Sequence, residues 1–211
     1  MRKSKYKYKV YNGKAIKEMF ENTRMIFLLI LFAVGIIIGA KVINSENVIL
    51  QEQIKNLLNS FTMKRAGQGV INNFIESLFS VSIFNLVSVF LAFSLIGYPL
   101  IMIIPLLRGM GIGVVCGYLY SVYKFTGLGY SLLMIYPGAL FSIFALILIC
   151  NDCSEYSKNA YSKAIIGRGQ FEKDETKIFL TRQLVFLAIS AFGALVDSIC
   201  ARLFVGIFNL G

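Results

Sequence analysis

Arg108 stands near the middle of a long apolar run, and Asp197 interrupts the last such run of the chain. A cation at the centre of a membrane helix costs about 2.5–3.5 kcal/mol on insertion scales, so it faces the bundle interior and finds a partner. Two roles are open to Arg108. It could contact an anionic substrate in a transport path, or it could hold the bundle in register through a charge pair with Asp197. Helical rise puts Arg108 roughly 16 Å from one membrane face. It puts Asp197 roughly 21–22 Å from the same face if the last span enters just after Arg182. The gap of about 5–6 Å is within reach of an arginine side chain.

The remaining chemistry is sparse. The chain has no histidine, which excludes Ser-His triads, HExxH zinc sites and histidine proton relays. Cys150 and Cys153 form a lone CxxC at a span end, without the further ligands or the thioredoxin-like context that would make it a metal or redox site. Cys116 and Cys200 stand apart. Aspartyl chemistry within the membrane needs two facing carboxylates, and only Asp197 is placed for it. No metal, cofactor or small-molecule substrate is expected, and no enzymatic activity.

The elements that position these residues follow from hydropathy. The chain has 211 residues, 57% of them hydrophobic, with a mean hydropathy of +0.71. Continuous apolar runs of about 20 residues predict spanning helices, because unpaired backbone groups are too costly in hydrocarbon. They do not alternate as barrel strands do. The expected fold is an all-α bundle of five spans, at about 25–43, 76–97, 99–123, 127–150 and 179–205. The first is read as a retained helix rather than a signal peptide, because its basic region is long and no small-residue cleavage site precedes Lys41.

Between the spans lie a basic tail and interfacial helix (1–24), an outer amphipathic loop (44–73) and a charged cytoplasmic loop (151–177). In the outer loop Leu50, Ile54, Leu57, Leu58 and Phe61 share one helical face, suited to the membrane surface or a partner. The formal net charge is +10. Five cations interleave with three tyrosines over residues 1–12, a composition suited to anionic lipid. Nucleic acid is not expected as a partner, because a positive-inside tail accounts for these cations. The tail and the 151–177 stretch hold most of the Lys and Arg, which places the N-terminus inside and, with five spans, the C-terminus outside.

Small residues and breaks punctuate the spans. Gly35 and Gly39 in span 1, and Gly109, Gly113 and Gly117 in span 3, recur every four residues and permit close helix approach. They could dock a partner's transmembrane anchor or pack within the bundle. Gly97-Tyr98-Pro99 predicts a tight connection with proline in the first turn of span 3. Pro137, halfway along span 4, predicts a kink.

Assembled in order, these motifs resemble the stage II sporulation protein M family. The likeness rests on Gly35-Ile-Ile-Ile-Gly39, Gly97-Tyr98-Pro99-Leu100 leading to Arg108-Gly109, then Gly113 and Gly117, Gly129 before Pro137, and Ala194-Leu195-Val196-Asp197. The resemblance implies a bacterial cell-membrane scaffold in the mother-cell septal or engulfing membrane during endospore formation. It implies recruitment of the anchored, peptidoglycan-degrading stage II sporulation proteins P and D. The alternative from the residues alone is a membrane transporter or transporter subunit, with Arg108 contacting an anionic substrate.

Overall fold

The computed structural model describes residues 2–43, 52, 56, 67–94, 96–166 and 173–204. Its elements are α1 (Arg2–Ile43), α2 (Val70–Ala92), α3 (Gly97–Tyr130), a π-helical turn (Ser131–Ile135), α4 (Tyr136–Ile166) and α5 (Lys173–Phe204). No strand occurs among the described residues. Five of these helices are long and apolar enough to cross a membrane, as the hydropathy runs require. Their outer faces carry large apolar side chains such as Phe79, Phe90 and Phe125. A soluble protein would bury these rings, whereas here they meet lipid.

Helix α1 packs mainly on α3, and α5 packs on α4 and α2. The core joins Leu28, Ala92, Ile101, Ile104, Leu146, Ile149, Cys150 and Phe179 from all five helices. Where α2 meets α3 the chain turns within four residues. Ser94 N–H donates to the Leu91 carbonyl and Gly97 N–H to the Ser94 carbonyl. Ser157 of α4 clasps the turn by donating to the same Ser94 carbonyl at 2.9 Å. Pro99 falls in the first turn of α3, where its missing N–H costs no helical bond. The helix then runs unbroken past Pro105 and Arg108, so this span is a single helix.

Several boundaries differ from the sequence expectation, each for a local reason. Helix α2 runs Val70–Ala92 rather than 76–97; it begins at the apolar pair Val70-Ile71 and keeps Asn73 buried in its first turns. Helix α1 runs from Arg2 to Ile43, so the basic tail, the interfacial helix and span 1 are one continuous helix. Most of the 151–177 stretch is also helix, because α4 continues to Ile166 and α5 begins at Lys173. Charged residues exclude a segment from hydrocarbon but not from a helix, and here they pair across neighbouring helices.

Pro137 lies within a continuous helical run, near the start of α4 rather than halfway along it. It is the second residue of α4, directly after the π turn. Proline has no N–H for the residue four back and its ring crowds that carbonyl, so a widened turn just before it relieves both demands. Beyond Arg108 the stretch given as α3 is kinked at Lys124, whose φ of 52° and ψ of −127° are not helical. Gly127 then lies against the Leu119 carbonyl and the Tyr123 side chain, where a Cβ would collide.

Candidate functional site

A cavity of about 270 Å³ lies between α2, α3, α4 and α5. Arg108 enters from α3 and Asp197 from α5, so the two intramembrane charges share one space. Each is held by its own serine on α2. Ser77 Oγ donates to Asp197 Oδ2 at 2.6 Å, and Arg108 Nη1 donates to Ser80 Oγ at 3.2 Å. The serines are three positions apart, so one helical face presents both hydroxyls. The guanidinium also lies 5.3 Å from the centre of the Phe84 ring, within cation–π range.

The close seating of Asp197 depends on Gly138. A Cβ at position 138 would run into the Asp197 Cβ, with the Asp197 Cα 2.6 Å away. Gly193 plays the reciprocal part, where an added Cβ would meet Phe141 Cβ and Ser142 Oγ at 2.9 Å. Neither glycine stands in a repeating pattern, so spacing does not reveal them. Glu76 also lines the cavity. Starting α2 at Val70 carries it into the helix, past the interfacial position that the expected boundary assigned it. The cavity therefore has two carboxylates, not one.

The patterned glycines meet one another. A Cβ on Gly35 or Gly39 would strike the Leu106 or Met110 backbone of α3. One on Gly109, Gly113 or Gly117 would strike Phe32, Ile36 or Ala40 of α1. The two stripes form one intramolecular seam in which each backbone fills the other's groove. Of the two roles open to these glycines, packing within the bundle is the one the structure displays, and the seam covers both stripes. The amphipathic face Leu50, Ile54, Leu57, Leu58 and Phe61 lies outside the described residues.

A second polar cluster ties α1, α4 and α5 together. Arg24 pairs with Glu155 at 3.1 Å, and Arg182 with Asp152 at 3.2 Å. Gln183 donates to the other Asp152 oxygen at 2.8 Å, and Lys163 pairs with Glu175. Beneath it Tyr156 stacks on Phe179 at 4.3 Å, and Phe93 meets both rings edge-on. These opposite charges satisfy one another and leave a structural clasp.

Cys150 and Cys153 are buried free thiols. Cys150 Sγ lies 3.6 Å from Ser88 Oγ. Among the described residues no group of three or more His, Cys, Asp or Glu is placed to hold a metal.

The family model for Stage II sporulation protein M matches residues 28–202. The match begins in the middle of α1 and ends beyond Asp197, so it takes in the glycine seam and the charged cavity. No curated protein and no solved structure matches the chain.

Proposed function

The chain belongs to the stage II sporulation protein M family, and from that premise we propose that it is a non-enzymatic scaffold of the engulfing membrane. In this reading it recruits membrane-anchored peptidoglycan-degrading proteins, stage II sporulation proteins P and D, while the mother-cell membrane moves around the forespore. The observation that carries the proposal is the family match over residues 28–202. The packing accords with it. Most polar side chains inside the bundle hydrogen-bond other helices, as a rigid platform requires, while broad apolar faces remain exposed for lipid and partner helices.

The orientation belongs to the same proposal. The basic N-terminal part of α1 and the charged ends of α4 and α5 lie inside, and the 44–69 segment and the C-terminus lie outside. Outer placement brings that segment to the side where cell-wall enzymes work.

The test is affinity purification of the tagged full chain from sporulating cells, with mass spectrometry of what accompanies it. Wall-degrading partners are the expected result, and their absence would overturn the scaffold. The charged cavity favours one rival, a transporter subunit with Arg108 as the anion contact. Recovery of an ATPase, with flux that Arg108→Ala abolishes in proteoliposomes, would establish that rival instead.

A further inference from the structure

Between Gly109 and Gly117, one glycine of α3 stays outside the seam. Gly109, Gly113 and Gly117 face α1, but Gly111 is exposed, and a Cβ built there has no neighbour within 4 Å. It lines the same cavity as Ser80 and Arg108. Ser80 is also exposed, so the cavity opens between α2 and α3 at these residues. The bare backbone of Gly111, one turn beyond Arg108, makes a notch with a guanidinium at its side.

The guanidinium has five N–H donors, and among the described residues Ser80 accepts one of them. In hydrocarbon, unused donors call for an acceptor. Depth limits which acceptor can reach. Arg108 lies roughly 16 Å along α3 from Gly97 by helical rise, near the middle of a hydrocarbon core about 30 Å thick. A bilayer phosphate sits too shallow. A second copy of this chain is also unsuited, since no carboxylate or side-chain amide is exposed at mid-span among the described residues of α1, α4 and α5.

We propose that the notch formed by Ser80, Arg108 and Gly111 receives the transmembrane helix of another membrane protein, one that carries a carboxyl side chain at mid-membrane depth. Gly111 lets the foreign backbone approach, and Arg108 supplies the donors that fix its register. The inference deepens the scaffold reading by stating the chemistry a partner's anchor must offer.

The experiment uses the purified full chain in phosphatidylcholine vesicles. The probe is a labelled single-span Leu/Ala helix with one glutamate at its midpoint, and the control carries leucine there. Energy transfer to the chain reports association. The glutamate helix is expected to bind about tenfold more tightly, the scale of an interhelical hydrogen bond in model peptides. Arg108→Gln and Gly111→Leu should each abolish the preference. A Cβ at position 111 meets nothing within 4 Å, so Gly111→Leu with an unchanged Tm separates loss of binding from loss of fold.

Equal binding of the two helices would overturn the proposal, as would a preference that survives both substitutions. A preference erased by phosphatidylglycerol would assign the notch to lipid and also overturn it. No wall-degrading protein is present in this assay. A failed recovery of such partners from cells therefore leaves this result standing, and a failure here leaves the recovery standing.

Discussion

Ser77 of α2 donates a 2.6 Å hydrogen bond to Asp197 of α5, across 120 residues of chain. The bond fixes the depth of one helix against the other within the apolar bundle. Hydrogen bonds to charged groups contribute about 1.5–3 kcal/mol, roughly twice a neutral pair. Ser77→Ala should therefore lower thermal stability in detergent. The same change should cost far less when Asp197 is already Ala. A double-mutant cycle reads the difference; equal costs in both backgrounds would show that the bond contributes nothing.

The glycine seam makes a sharper comparison. Gly113→Ala pushes a methyl group into the Ile36 backbone, whereas Gly111→Ala meets open space. Overpacking costs about 1–3 kcal/mol or more when backbone must move. The Gly113 variant should lose stability and solubilised yield, and the Gly111 variant should match the parent. Equal melting temperatures would contradict close packing of α1 on α3.

Lys124 holds a positive φ that side chains rarely adopt. Such strain costs about 1–3 kcal/mol, partly offset in glycine by its greater freedom when unfolded. Lys124→Gly should raise stability by roughly 1 kcal/mol. A fall in melting temperature would mean that the lysine side chain contributes more than the backbone strain removes.

The Arg24–Glu155 pair joins α1 to α4 with both side chains largely shielded. Arg24→Glu brings two carboxylates together and should destabilise the bundle by about 2–4 kcal/mol, since a partly buried charge loses its counter-ion. Adding Glu155→Arg should recover most of that loss. A double variant no more stable than the single one would show that other contacts of Arg24 dominate.

How far the linear chain revealed this arrangement depends on the kind of signal. Pro99 was legible because its backbone limits act locally. Arg108 and Asp197 stood out because charge is conspicuous in apolar sequence, and the structure places both on one cavity. Gly138 and Gly193 were not legible, since an isolated glycine looks the same wherever it packs. Glu76 was hidden by a helix boundary six residues out. The 151–177 stretch looked like a loop because its charges left hydrocarbon, yet the α4 and α5 ends persist as helices braced by Arg182–Asp152.

The sequence by itself determined that this is a helical membrane protein with five apolar crossings. The length of an uncharged run reports bilayer thickness directly, one residue after another. Only the tertiary structure decided which faces meet: α1 against α3 through glycines, and α2 against α5 through Ser77 and Asp197. A span that is apolar on every side carries almost no periodic mark of its inward face. Its rotation is set by backbone fit and a few hydrogen bonds, which exist only once the neighbouring helices are in place.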